Sequence, residues 1–349
     1  MKIAIIVPSI AHKAPVLVAR DLANGFVLAG HSVTVFYFDE SSDVHFSCPV
    51  KRIGFFDYGE LDGYDVVHSH MLRPDIFAWC CKKIRNNPGK FITTIHNIVE
   101  EDLLYTYGKL ISAIFSPVWR LIWRGFDGRV VINDHELRYY SLTQPKISFV
   151  LIYNGCFDHT ILSINDNDAR LILGAKKNWT LIGACAIVSR RKGLEQVLKA
   201  LTVMPKYAFL LIGDGPARKE LQILANSLGL KDRFITLGQK NNARDYLPFM
   251  DIYAMPSRSE GMSLALLEAV SAKVPAICSD ISAFRDIFTD QEVVFFQLDD
   301  INDFVRAIKH LENNGVAFSQ RARERLETSY TQEIMVSSYL NYFETLCQK

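Results

Sequence analysis

The chain lacks any run of about 18 uncharged apolar residues, so its sequence offers no candidate membrane-spanning helix. It also lacks net charge. Its 39 lysines and arginines against 38 aspartates and glutamates leave +1, so no nucleic-acid partner is expected and any membrane attraction must come from a local patch. The seven cysteines, at 48, 80, 81, 156, 185, 278 and 347, are odd in number and show no metal spacing, Cys80-Cys81 being adjacent. They suit a reducing cytoplasm better than a disulfide framework, and the expected localisation is cytoplasmic. There is no internal repeat and no low-complexity segment. The apolar opening Met1–Pro8 is short and is soon followed by His12, Lys13, Arg20 and Asp21, which reads as a first buried strand rather than a secretory signal. After that strand stands Ser9-Ile10-Ala11-His12-Lys13-Ala14-Pro15, without a glycine. A dinucleotide site calls for G-x-G-x-x-G there, so the chain reads against an NAD enzyme.

What is present is an α/β alternation. A length of 349 residues suits two domains. Strand Lys2–Val7, helix Pro15–Leu28 and strand Ser32–Phe38 make a βαβ opening and predict a parallel sheet. Further strands are expected at 64–70, 91–95, 127–133 and 148–153. After a linker of about 156–177 they are expected at 180–188, 208–212, 234–239, 252–255, 275–278 and 293–296, with helices between and to the end. The reading places one domain at 1–157, a second at 158–328 and a last helix at 329–349 as a candidate to cross back to the first. The linker contains Asp166-Asn167-Asp168, formally D-x-D, which reads as a solvated turn because no strand precedes it.

The most informative stretch is Pro256-Ser257-Arg258-Ser259-Glu260-Gly261-Met262-Ser263-Leu264-Ala265-Leu266-Leu267-Glu268-Ala269. A strand runs into a polar loop, and a helix leaves it, which is the arrangement α/β folds use to hold phosphates and sugars at strand carboxyl ends. Glu268 lies in a helix that is apolar on nearly every face. A carboxylate there needs a partner, either ligand hydroxyls or a basic residue. Earlier, Ser189-Arg190-Arg191-Lys192-Gly193 places three cations before a helix expected over Leu194–Leu201. A helix amino end already favours anions, so cations gathered there point to an anionic ligand such as a diphosphate.

These residues resemble the retaining family-4 glycosyltransferases of the two-domain GT-B fold. The E-x7-E signature falls on Glu260 and Glu268. Three more matches stand in family order: Tyr153-Asn154-Gly155, Lys192-Gly193 and Gly213-Asp214-Gly215-Pro216. The resemblance spans Lys2 to about Arg325 and implies two Rossmann-like domains whose parallel sheets face a cleft. It implies that Glu260 touches the donor sugar, that Glu268 holds the ribose, and that the Gly261, Met262, Ser263 and Leu264 backbone binds sugar or phosphate oxygens. It also implies that His96 at a strand end lies near donor and acceptor, and that the loops carrying Gly213, Gly238 and Gln239 face the nucleotide, with Lys240 a weaker candidate. Asp65-Val66-Val67-His68-Ser69-His70 matches a further family pattern, and His68 and His70, on one face of a strand, read as satisfied structural histidines.

Two departures stand against the pattern. The glycine-rich loop after strand one is absent, and the family arginine five or six residues before Lys-Gly is replaced by Ala186 or Ile187, leaving Arg190 or Arg191 to substitute, Arg190 being preferred. The implied activity is metal-independent, cofactor-free transfer from a nucleotide-diphosphate sugar, with UDP as the family expectation, to a glycan or lipid-linked glycan in bacterial O-antigen, capsule or lipopolysaccharide synthesis. A nucleotide-sugar epimerase of the same fold and a catalytically silent nucleotide-sugar-binding protein remain as alternatives. Segment 103–124 combines Tyr105, Tyr107, Phe115, Trp119 and Trp123 with Lys109, Arg120 and Arg124, and Pro117 is expected to divide it into two helices. Such a segment suits a peripheral membrane contact, and equally a core helix pair. Glu100-Glu101-Asp102 before it reads as a solvated helix start or as a set of acceptor contacts.

Overall fold

The computed structural model describes residues 1–39, 44–156 and 164–348. It divides into two units, Met1–Gly155 with Thr331–Lys349, and Cys156–Tyr330. The expected domain boundary at 157–158 lies outside the described residues.

In the first unit seven parallel strands lie in the order β3-β2-β1-β4-β5-β6-β7. They are β1 Lys2–Ser9, β2 Ser32–Asp39, β3 Val50–Arg52, β4 Val66–His70, β5 Lys90–Ile95, β6 Gly128–Val131 and β7 Val150–Leu151. The interior strands read as unbroken apolar runs because helices cover both faces of a parallel sheet. Those helices are α1 Ala14–Leu28, α2 Leu72–Arg85, α3 Val99–Tyr107, α4 Lys109–Trp123 and α5 Asp134–Thr143. The last helix of the chain, α12 Gln332–Cys347, belongs to this unit too. It packs Phe343 against Phe26 of α1, and the Gln332 amide donates to the Asp21 carbonyl at 2.7 Å. Gly155 lies where it does because a Cβ would come within 2.3 Å of the Thr331 carbonyl.

The division of segment 103–124 differs from expectation. The break is Gly108, whose φ of +87° an L side chain rarely adopts, and Pro117 sits inside α4. Proline removes one rung of the helix ladder, but the rungs on either side carry the helix through it. Trp119 and Trp123 also point inward. Both indole N–H groups donate to the buried Asp75 carboxylate, at 2.7 and 3.2 Å. The acidic start of α3 is not wholly solvated, since Glu100 forms an ion pair with Arg120 of α4.

In the second unit six parallel strands lie in the order β10-β9-β8-β11-β12-β13. They are β8 Thr180–Cys185, β9 Tyr207–Ile212, β10 Phe234–Thr236, β11 Ile252–Met255, β12 Ala276–Ser279 and β13 Val294–Phe296. The helices are α6 Asp166–Lys176, α7 Glu195–Leu201, α8 Arg218–Ser227, α9 Leu264–Ser271, α10 Ser282–Arg285 and α11 Ile301–Ser329. Asp166-Asn167-Asp168 is the first turn of α6, capped by the Asn165 side chain, rather than a solvated turn. Asp168 is buried because Tyr246 and Lys240 both reach its Oδ2, at 2.5 and 2.6 Å. Each sheet places its first strand beside the one that starts the opposite wing: β1 next to β4, and β8 next to β11. Loops leaving such a pair diverge and open a crevice at the strand carboxyl ends.

Candidate active site

The β8–β11 switch point sets two loops side by side, residues 186–194 and 256–263. Arg190–Lys192 forms a short 3₁₀ turn closed by Gly193, and α7 begins only at Glu195. The cations therefore sit on their own turn instead of on a bare helix end. Gly193 is required twice: its φ is +60°, and a Cβ would come within 2.1 Å of the Pro256 carbonyl. The contact is held by Gln196, fully buried, whose amide donates to Pro256 O at 3.0 Å and to Gly193 O at 3.2 Å. Arg258 completes the seam. Its backbone N–H donates to Arg191 O at 2.8 Å, and its guanidinium reaches Arg190 O and the Glu195 carboxylate at 2.9 and 2.6 Å.

Across this seam Glu260, only 8% exposed, meets two cations. Lys192 Nζ lies 2.5 Å from its Oε1. Arg191 Nη1 lies 3.5 Å from its Oε2 and donates to Ser259 O at 2.8 Å. Burial raises the Glu260 pKa, but the charges of Lys192 and Arg191, with hydrogen bonds from Lys192 and Ser257, outweigh it and hold the carboxyl below its ordinary value. Glu260 is ionised at neutral pH, and two cations against one carboxylate leave one positive charge at a half-buried position. Arg190 does not join them. Its side chain is 81% exposed and pairs with Glu220 of α8.

Gly261, Met262 and Ser263 are buried and lead into α9, whose first residue is Leu264. The amino end of α9 has no side-chain cap among the described residues, so its first N–H groups are disposed to meet an oxygen ligand. One turn in, Glu268 is paired. Arg244 Nη2 and Nε lie 2.6 and 3.2 Å from its Oε1. Gly213, at φ +141°, lets the β9 loop pack against the Ala186 carbonyl, and its N–H donates to Gly238 O at 2.8 Å. Gly238 thus joins the same backbone cluster, whereas Gln239 is exposed beside it. Lys240 is committed to Asp168.

In the first unit, the carboxyl ends of β4 and β5 carry three histidines. His70 Nδ1 and His96 Nε2 are 2.9 Å apart, with the rings stacked. His68 Nε2 is 2.7 Å from the Thr94 hydroxyl, which in turn meets Tyr339 OH of α12 at 2.8 Å. His68 and His70 are not fully satisfied, because His68 Nδ1 and His70 Nε2 are buried without a partner among the described residues. Burial is the first cause of a lowered pKa in all three, to about 3 for His68 and His96 and well below the ordinary value for His70. Burial favours the neutral form of all three rings at physiological pH, and His96 stands half-buried at the strand end.

Sequence reasoning missed Arg244, which no spacing ties to Glu268, and Asp75, whose four donors come from β4, β5 and α4. Gln196 left a signal: a polar residue in an apolar helix run, three positions after a glycine.

A model of the glycosyl transferases group 1 family matches residues 167–329. An O-antigen biosynthesis glycosyltransferase of Escherichia coli is 30% identical over 357 residues, covering 99% of this chain and 99% of that protein. A second E. coli protein, a UDP-Gal:alpha-D-GlcNAc-diphosphoundecaprenol alpha-1,3-galactosyltransferase, is 24% identical over 283 residues, 76% of this chain and 72% of its own length. Among solved structures, Anabaena HepE in complex with UDP-glucose superposes with a TM-score of 0.82 at 16% identity, covering 99% of this chain and 100% of that one.

Proposed function

Because the chain belongs to the group 1 glycosyltransferases, we propose that it moves a sugar from a UDP-sugar to a glycan or lipid-linked glycan acceptor during assembly of a bacterial surface polysaccharide. The observation that carries the site assignment is the Arg191–Lys192–Glu260 cluster with its surplus positive charge, facing an uncapped helix end one turn from Glu268. A diphosphate is the ligand that uses all of these at once. The relatives support the reading. One is named for O-antigen biosynthesis, and one for UDP-galactose and a diphosphoundecaprenol acceptor.

The reaction proposed is retaining and needs no metal. The bond from the sugar C1 to the β-phosphate oxygen breaks, the acceptor oxygen forms the new bond to C1 on the same face, and the acceptor proton passes to the departing phosphate. Lys192 and Arg191, with the N–H groups of Gly261 to Leu264, stabilise the charge that grows on the diphosphate. They supply the compensation that a metal ion gives elsewhere. Glu260 holds Lys192 in place and orients the sugar through its hydroxyls. Glu268, steered by Arg244, accepts from the ribose. Neutral His96 hydrogen-bonds the sugar or the acceptor hydroxyl.

The acceptor proposal brings the membrane contact with it. Residues 110, 114, 118 and 121 of α4 are leucine, isoleucine, valine and leucine, all exposed, Leu110 by 73%. They recur every three or four residues and so form one apolar stripe, while Trp119 and Trp123 fill the core. The test is transfer in EDTA with the product anomer read by NMR. Retention at an undiminished rate is expected. Inversion, or loss of activity on chelation, contradicts the mechanism.

A further inference from the structure

The amino ends of β6 and β7, at the opposite end of the parallel strands from His70 and His96, border a cavity of about 290 Å³ lined by Arg124, Arg129, Lys146, Ile147 and Ser148. Three of its five lining residues are cations, and none of them forms an ion pair among the described residues. Arg129 is only 8% exposed. Its Nε donates to Trp123 O at 2.8 Å and one Nη2 bond to Phe126 O, which caps the end of α4. Its other three N–H bonds have no hydrogen-bond acceptor among the described residues, while Asp127 and Tyr342 lie near enough to act on its charge. Arg124 and Lys146 are exposed at the rim. A buried guanidinium with an unused edge, flanked by two ammonium or guanidinium groups and a serine hydroxyl, is the chemistry of a phosphate site.

Its position says which phosphate. Arg124 follows Leu121 by three residues, so it continues the exposed stripe of Leu110, Ile114, Val118 and Leu121. We propose that this pocket takes the phosphate headgroup of an anionic lipid, with the stripe of α4 lying among the acyl chains beside it. The proposal rests on the reading that α4 meets a membrane, and supplies the lipid preference that a stripe of apolar residues cannot.

The test uses the full chain and co-sedimentation with vesicles of phosphatidylcholine alone or mixed with phosphatidylglycerol. A basic residue near an anionic surface is worth about fivefold in partitioning. Arg124→Ala/Lys146→Ala should lose about 25-fold on the mixed vesicles and nothing on the neutral ones. Lys83→Ala/Lys231→Ala, which removes the same charge elsewhere, should lose far less. An equal loss in this control, or no loss in the pocket variant, overturns the site. Inorganic phosphate offers the competing occupant. If it raises the melting temperature through Arg124 and Lys146 while the chain shows no preference for phosphatidylglycerol, the pocket is a free-phosphate site and the lipid assignment falls. Leu110→Gln/Leu121→Gln tests the underlying reading separately. It should weaken binding to both vesicle types, and unchanged binding to both removes the membrane contact itself.

Discussion

Lys192 and Glu260 make the most direct physical test of the site. Glu260 is almost wholly buried, with Lys192 at 2.5 Å and Arg191 at 3.5 Å. At an effective dielectric of about 20, one such pair attracts by roughly 4 kcal/mol or more, most of it offset by the desolvation of both groups. Lys192→Met removes the nearer cation and leaves the buried carboxylate with Arg191 at 3.5 Å and the Ser257 hydrogen bond, for an expected loss of about 3 kcal/mol. Glu260→Gln keeps the shape, loses the charge, and should cost about 2 kcal/mol. In the double variant neither charge is stranded, so its loss should fall short of the sum by about 2 kcal/mol. Hydrogen exchange at the amides of β8 and β11 reads the second unit alone. The same Glu260→Gln variant frees Lys192, so UDP should bind it at least as tightly as it binds the parent while sugar transfer drops by about 100-fold or more. Losses that add to within about 0.5 kcal/mol would refute the coupling, and a loss of UDP affinity in Glu260→Gln would refute the competition between carboxylate and diphosphate for Lys192.

Three further outcomes are expected. Glu268→Gln should weaken UDP binding by about tenfold, one charge-assisted hydrogen bond, and unchanged affinity in calorimetry would remove the ribose assignment. Gly193→Ala should cost well over the roughly 1 kcal/mol that a left-handed residue costs by itself, because its Cβ meets Pro256 O, whereas Gly30→Ala, at φ +85° with nothing within 4 Å, should cost only that amount in urea unfolding. Acid should weaken the first unit. His68 and His70 stay neutral when folded but bind protons when unfolded, so stability is present above pH 6.5 and lost as pH falls. Between pH 7 and 5.5 each fully buried ring loses on the order of 1 kcal/mol, and Asp75, raised to about 6 by burial, returns less than one ring loses by taking a proton in the folded state. The net loss should appear in the fluorescence of Trp79, Trp119 and Trp123, and constant stability over that range would contradict the buried neutral state.

Much of the fold was legible because parallel strands buried on both faces are written as plain apolar runs. Ile252–Met255 and its loop read directly, while β3, exposed along its three residues, left no such trace. The signature loop was legible because its glycine, its carboxylates and the helix that follows are contiguous. Its supporting cast was not. Arg191 and Lys192 lie 68 residues or more from Glu260 in the chain, and only the β8–β11 switch point brings them together. The choice between Arg190 and Arg191 depends on which way a 3₁₀ turn faces, and composition carries no such information. In α4 the aromatic content suited surface and core equally, and the tryptophans are drawn inward by Asp75, a carboxylate more than forty residues away that needs their N–H groups.

A nucleotide sugar bound in the second unit is what every role proposed for Arg191, Lys192, Glu260 and Glu268 requires. The measurement that tests it first is a thermal-shift panel of nucleoside diphosphates and their sugars in the presence of EDTA. A ligand at 100 times its dissociation constant stabilises by about 2.7 kcal/mol. A clear rise is expected with UDP and with one UDP-sugar, lost in Lys192→Met relative to that variant's own baseline. No rise with any nucleotide or sugar nucleotide would contradict it.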